Sequence, residues 1–407
     1  MLYRLEIENF YSIRDLQALD LRIPKISQEY PERFAPIYEG ASEQVPKVVA
    51  VFGANGSGKS TVLKAIAFIS WFLKDSFQHT GNLPCERFND ESSANAPIRL
   101  AIEIGGPMEL APKTGETTSS SEVKYGTFRY ELELHPKDGA VNKVWREALL
   151  QKPNGQGRWI RVFERQGDGK IQGSKTFPLS GFSQVIDKVR PNASVVATLA
   201  LFEHQAAKAL VRSAESVLRN ILIDRADPVD SDAIQYLALN PEVLDALNRD
   251  LQRIDVGIEQ MQIVSQPSGP QAYFKHEGLH HEMPWLLESQ GTRSFIRISP
   301  FLLLALRRGG IAVIDELDQS IHPLILPEIM RWFYDPIRNP NNAQLWMSCH
   351  SAPLLDDLTK EEVVLCEKDH RGRSRVFSLM DVQAVRRVDN LYKKYLGGTY
   401  GAVPQIG

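Results

Sequence analysis

The sequence predicts an α/β fold: a mixed sheet carrying a phosphate-binding loop, with an antiparallel β subdomain beside it and a short helical insertion. Three observations predict it. An apolar strand runs into a glycine loop and then a helix near residue 53. Two more apolar strands with polar ends follow far downstream, and alternating runs fill much of the stretch between.

The glycine loop comes first. Residues 53–60 read Gly53-Ala54-Asn55-Gly56-Ser57-Gly58-Lys59-Ser60, which satisfies GxxxxGK[ST]. Before it, Val48-Val49-Ala50-Val51-Phe52 has the look of a buried parallel strand. After it, Val62, Ile66, Ile69 and Leu73 recur at helical spacing. Glycines let backbone N–H groups close around phosphates, and the helix N-terminus adds partial positive charge. Lys59 can reach the outer phosphates and the Ser60 hydroxyl can bind Mg²⁺. The candidate contacts are Gly53, Asn55, Gly56, Ser57, Gly58, Lys59, Ser60 and Thr61. In this context a ligand-free glycine turn is the weaker reading, and the chain is expected to bind a nucleoside triphosphate.

Composition sets outer bounds. A chain of 407 residues with 43% hydrophobic residues can bury a large core. Its 47 basic and 50 acidic residues give a formal charge of −3, which argues against coating nucleic acid by bulk charge. A local basic stripe stays open. Cys85, Cys349 and Cys366 form no CxxC pair, so a disulfide framework and a zinc knuckle are not indicated and a reducing cytosol fits best. The start, Met1-Leu2-Tyr3-Arg4-Leu5-Glu6-Ile7, alternates like a strand rather than a signal peptide. The greasiest stretch, residues 298–306, contains Pro300 and is too short for a bilayer, which needs about 20 residues. A soluble, cytoplasmic protein is the expectation. Residues 117–121 read as a short polar loop.

The second half of the site lies downstream. Ile311-Ala312-Val313-Ile314-Asp315-Glu316 is an apolar strand ending in two acids. Asp315 would hold Mg²⁺, and Glu316, one step beyond, could orient and deprotonate an attacking water. Alone this pattern is weak; paired with the loop it completes a reaction centre. Gln344-Leu345-Trp346-Met347-Ser348-Cys349-His350-Ser351 reads as another buried strand, with His350 at its tip for the γ-phosphate or the water. By pattern alone His350 would only cap the next helix ahead of Pro353. The two preceding motifs reverse that preference.

Leu287-Glu288-Ser289-Gln290-Gly291-Thr292-Arg293 precedes a helix-like run over residues 295–306, closed by Arg307 and Arg308 before Gly309-Gly310. Pro300 should kink that run or begin a second piece. Ser289, Gly291 and the helix start form a second anion-binding surface, although taken alone it reads as an ordinary capped start. One triphosphate has no geometric use for two such surfaces from one subunit, which points to a homodimer.

With these motifs in this order, the chain resembles ABC-type ATPase heads, and more narrowly the overcoming-lysogenization-defect and abortive-infection group, often labelled AAA-family ATPases. Heads of chromosome-maintenance and RecF-like repair proteins are related. The resemblance runs from Leu5-Glu6-Ile7-Glu8-Asn9-Phe10 through the four motifs, with Asp318 and Ile321-His322-Pro323, to Tyr395-Leu396-Gly397-Gly398-Thr399-Tyr400-Gly401-Ala402. It implies ATP and Mg²⁺ as ligands, Lys59 and Ser60 on the triphosphate and metal, and Asp315 as second metal ligand. Glu316 would be general base and His350 the switch histidine. Ser289, Gln290 and Gly291 match the signature loop that caps the γ-phosphate of the opposite subunit, and Asp318 begins the inter-subunit acidic loop. Glu288 and Gln290 depart from the Leu-Ser-Gly-Gly form of transporters. The Gln-loop is expected within residues 83–97.

The whole chain, 1–407, reads as one bilobal head: residues 1–180 a phosphate-loop lobe with the antiparallel subdomain, 181–255 a helical insertion, and 256–407 the lobe of the later motifs. Residues 98–177 hold the alternating runs. Helical pattern covers 197–222, as one long candidate, and 243–254. The span between Lys59 and Glu288 is too short for the long coiled-coil arm of chromosome-maintenance relatives. His276-Glu277-Gly278-Leu279-His280 spells HExxH, but the central glycine and flanking prolines favour strand, turn, strand over a zinc helix. The stretch after His350 is too short for the nuclease domain of the lysogenization-defect proteins. His370-Arg371-Gly372-Arg373-Ser374-Arg375 reads as a solvated basic turn, with DNA contact the minority reading.

The expectation for function is Mg²⁺-dependent ATP hydrolysis driving head-to-head dimerisation, which governs a separate effector protein in defence against phage. Two alternatives stay open: a slowly hydrolysing nucleotide-gated scaffold, and a repair-type ATPase that senses DNA. No membrane role is expected, and a transporter subunit fits least.

Overall fold

The computed structural model describes residues 1–24, 30–108, 124–137, 139–167, 169–223, 230–254, 257–383, 385–386 and 389–403. The polar stretch 117–121 lies outside them.

A six-stranded sheet organises the molecule. Its order is Val217–Arg219, Ile311–Ile314, Gln344–Ser348, Val48–Gly53, Val363–Lys368 and Ser374–Ser378. The first five strands are parallel and the last turns back antiparallel. Strand Val48–Gly53 is buried at every position, as its continuous apolar run requires. Its side chains alternate between two cores. Val49 and Val51 join the cluster under helix Lys59–Asp75 with Phe68 and Trp71. Val48, Ala50 and Phe52 join the opposite cluster, with Leu302, Phe333 and Met347. Both faces of the sheet are therefore covered.

Beside it stands a seven-stranded antiparallel sheet, in the order Ile171–Gly173, Ile160–Arg165, Ala140–Pro153, Tyr125–Lys137, Ile98–Pro107, Leu2–Glu8 and Gln17–Asp20. The alternation over residues 98–177 and at the N-terminus is realised in these strands. Two small sheets, Ile258–Gln266 with Gly269–His276 and Met283–Pro284, and Ile23–Pro24 with Glu43–Pro46 and Phe34–Pro36, complete the β structure of the described residues. Among the described residues no helix is long and apolar enough to cross a membrane.

Two stretches differ from the sequence reading. The stretch 197–222 is not one helix but Val195–Leu201, Gln205–Glu215 and the strand Val217–Arg219. His204 breaks it: its ring nitrogen Nδ1 accepts from Ala207 N–H at 3.1 Å and caps a new helix, after Glu203 turns through φ 65°. The segment read as a helical insertion therefore also supplies an edge strand to the main sheet. Helix Gln290–Arg308 runs unbroken through Pro300. Ser299 Oγ donates to the Phe295 carbonyl at 2.7 Å, tying the turn just before the proline to the helix backbone. That helix also begins earlier than its apolar pattern, so Gln290 and Gly291 form its first turn. Gly309, at φ 71°, ends it in left-handed geometry. Helix Pro241–Ile254 lies where the second helical pattern placed it.

The two large sheets are joined at Gln344. Its fully buried side chain donates to the carbonyls of Leu2 and Pro46, both at 3.0 Å, and accepts from Leu2 N–H at 3.0 Å. Gln344→Leu leaves these three backbone groups without partners in the interior. The expected loss is about 3 kcal/mol, read as a lower urea midpoint at unchanged m-value.

Candidate nucleotide site

The parallel strands bring three carboxyl ends to one edge of the sheet, where ligands of open α/β sheets bind. Strand Val48–Gly53 ends in the glycine loop, Ile311–Ile314 in Asp315 and Glu316, and Gln344–Ser348 in the turn to His350. Register fixes their relative height: Ile314 pairs with Met347, Met347 with Ala50 and Ser348 with Val51. A cavity of about 300 Å³ opens there, lined by Ser12, Asn55, Gly56, Gly58, Lys59, Ser60, Thr61, Glu316 and His350.

The loop is shaped by its glycines. A Cβ on Gly53 would lie 2.2 Å from the Cys366 carbonyl oxygen, so only glycine lets the neighbouring strand approach. Gly58 caps the helix at φ 108°, and a Cβ there would strike Ser374 Oγ at 2.5 Å. Ser57 turns inward, and its buried hydroxyl has no hydrogen-bond partner among the described residues. The Lys59 ammonium donates to the carbonyls of Gly53 at 2.9 Å and Ala54 at 3.1 Å. Burial pushes its pKa below the ordinary lysine value, while the carboxylates of Asp315, Asp318 and Glu316 pull the other way. A buried cation thus lies in the field of three acids beside an N–H-rich loop.

The acidic pair is held by side chains beyond the motif. Ser348 Oγ donates to Asp315 Oδ1 at 2.5 Å and accepts from Glu316 N–H at 2.7 Å. Asn220 accepts from Asp315 N–H at 2.8 Å and donates to its carbonyl at 2.9 Å. Glu316 sits at φ 52°, in the left-handed region that non-glycine residues seldom adopt. Its side chain is exposed toward the cavity. Asp318 Oδ2 accepts from the N–H groups of His350 at 2.8 Å and Ser351 at 2.7 Å, binding the acidic turn to the histidine turn within one chain. His350 itself is exposed.

Ser289, Gln290 and Gly291 do not line this cavity. Ser289 caps helix Gln290–Arg308, accepting from Thr292 N–H at 3.0 Å, and both Ser289 and Gln290 are exposed. Glu288 behind them is buried, with one oxygen on His276 Nε2 at 2.5 Å and the other accepting from Ser289 N–H at 3.1 Å. The HExxH stretch is strand Gly269–His276 followed by a turn, as its glycine and prolines suggested. The basic turn lies in the hairpin Val363–Lys368/Ser374–Ser378. Its Arg373 faces Asp15 at 3.4 Å and Arg375 faces Glu367 at 3.5 Å, so its charge is partly met in place.

Four residues escaped the motif reading. Ser12 lines the cavity, and its hydroxyl joins Thr61 Oγ1 at 3.0 Å and Ser374 Oγ at 2.8 Å. Ser348, Asn220 and Ser374 act on the strands and loop from positions with no spacing signal. Ser348, two residues before His350, and Ser374, within the basic turn, lay inside stretches already singled out; Ser12 and Asn220 did not.

A parallel α/β domain with a phosphate loop, and with an Asp-Glu pair and a histidine at adjoining strand ends, is the class that fold and site define. The chain belongs to the AAA-domain family described as "AAA domain, putative AbiEii toxin, Type IV TA system", whose match covers residues 48–357. A search of curated proteins finds no match. Similar solved structures include an SMC head bound to the C-winged helix domain of ScpA, at 13% identity and TM-score 0.42, covering 92% of this chain and 96% of that one. The SMC head domain from Thermotoga maritima gives 12% and 0.40, covering 93% and 98%. A third is the Pyrococcus furiosus Smc head with an extended coiled coil bound to the C-terminal domain of ScpA, at 12% and 0.42, covering 93% and 97%.

Asp318→Ala removes the acceptor shared by two backbone amides. The His350 and Ser351 N–H groups are expected to exchange with solvent deuterium about tenfold faster, while amides of strand Val48–Gly53 keep their protection.

Proposed function

We propose that this chain binds ATP with Mg²⁺ across the phosphate loop and hydrolyses it, and that two copies close head to head around the nucleotide. The observation that carries the reading is the single cavity shared by Lys59, Ser60, Glu316 and His350, with Asp315 hydrogen-bonded beside it through Ser348. Backbone N–H groups of residues 56–60 would cradle the phosphates. Lys59 would exchange its two carbonyl partners for phosphate oxygens. Ser60 and Asp315 are an oxygen-donor pair suited to Mg²⁺, which would neutralise charge on the β- and γ-phosphates. Glu316 would take the proton of the attacking water. Its backbone, fixed by Ser348, aims the side chain into the cavity. His350 would donate to the γ-phosphate or orient that water.

The dimer is supported by where the signature residues lie. Ser289 and Gln290 are exposed and outside the chain's own cavity, so their use on a triphosphate needs a second copy. We assign to this cycle the control of a separate effector in anti-phage defence; the family description itself names a putative AbiEii toxin and a type IV TA system. The buried free thiols Cys85, Cys349 and Cys366 suit a cytoplasmic setting.

Glu316→Gln is expected to lower kcat for Mg²⁺-ATP by two orders of magnitude or more while nucleotide still binds, and to trap an ATP-dependent dimer by light scattering. Lys59→Ala is expected to lose binding. Wild-type turnover in Glu316→Gln would overturn the reading.

A further inference from the structure

The last described segment touches the phosphate loop without lining the cavity. After helix Leu391–Leu396 the chain doubles back through Gly397-Gly398-Thr399-Tyr400-Gly401-Ala402. The Ala402 carbonyl accepts from Ala54 N–H at 3.1 Å and from the Tyr395 hydroxyl at 3.1 Å. The Tyr395 ring packs edge-on against Phe52, centroids 6.4 Å apart. Tail contacts therefore fall on both neighbours of Gly53, while the Cys366 carbonyl closes on Gly53 itself. That peptide carries the Gly53 carbonyl, one of the two that accept from Lys59; the other, on Ala54, belongs to the peptide that follows.

The tail's path is specific. Gly398, Gly401 and Ala402 have φ of 71°, 74° and 60°, a left-handed course that is unusual for alanine. Tyr395, Tyr400 and Ala402 are all buried. A Cβ on Gly401 would lie 2.8 Å from Glu367 Oε2.

We propose that Tyr395 and Ala402 are positioning residues of the nucleotide site, forming a strap that fixes the Gly53–Ala54 peptide and so pre-forms the loop. The inference rests on the ATP-binding reading of that loop. Neither residue lines the cavity, so both act through Ala54 and Phe52. A loop already ordered loses less freedom when phosphates bind, and the effect falls on affinity rather than on the chemical step.

The test is equilibrium binding of a fluorescent ATP analogue with Mg²⁺ to the full chain, with kcat, KM and melting temperature measured in parallel. Tyr395→Phe keeps the ring and removes the hydroxyl; its Kd should rise about two- to tenfold with kcat little changed. Ala402→Pro imposes φ near −65°, turns the carbonyl away and should raise Kd further. Ala402→Gly, which adopts φ 60° freely, should bind like the wild type. The strap is overturned if folded Tyr395→Phe and Ala402→Pro both bind as the wild type does. It is equally overturned if the loss lies in kcat alone, or if Ala402→Gly weakens binding as much as proline. Lys59→Ala is the control: if it too binds normally, the reading of the loop fails, and the strap with it.

Discussion

Parallel pairing of strand Gln344–Ser348 with both of its neighbours is the constraint that sets the geometry of the site. The strand hydrogen-bonds Ile311–Ile314 on one side and Val48–Gly53 on the other, in registers that place Ser348 beside Val51 and Met347 beside Ile314. Successive residues face opposite cores: Leu345 and Met347 one, Trp346 the other. A slip of one residue would send the Trp346 side chain into the wrong core. Burial on both faces therefore locks the height of three strand ends, and with it the separation of the loop, the acid pair and the histidine.

Local hydrogen bonds refine what the sheet sets roughly. Ser348 joins the side chain of Asp315 to the backbone of Glu316, and Asp318 joins the acidic turn to the histidine turn. These links cross between strand ends rather than run along the chain, so displacement of one end is felt by the others. The Glu316 backbone is held in an uncommon conformation by this arrangement. On the far side, Cys366 and Ala402 press on the first residues of the loop. The start of the loop is thus packed against the fold, while Asn55 and Gly56 at its tip are exposed.

Much of this is legible in the chain. The apolar run Val48-Val49-Ala50-Val51-Phe52, the glycine loop and the Asp-Glu and histidine strand ends each carry a local signal, and each lies where that signal places it. The alternating stretch after residue 98 is equally explicit. The stretch 197–222 misleads because two short helices on one apolar face share the periodicity of one long helix, and His204 gives no breaker signal. Pro300 begins no second helix: a helix buried along most of one side continues through it despite one missing donor.

Residue types and their local spacing set the chemistry available: a glycine loop, a lysine, a hydroxyl, two carboxylates and a histidine, each tied to a particular secondary-structure end. That information is local, because glycine geometry and apolar periodicity act over a few residues. Packing alone selects which distant groups stand beside them. Ser12, Asn220, Ser348, Ser374 and Ala402 reach the site through strand pairing and chain reversal, and contacts at such separations leave no spacing in a single sequence. The exposed position of Ser289 and Gln290, outside the chain's own cavity, was likewise decided by packing. A helix cap looks the same in sequence wherever the fold carries it.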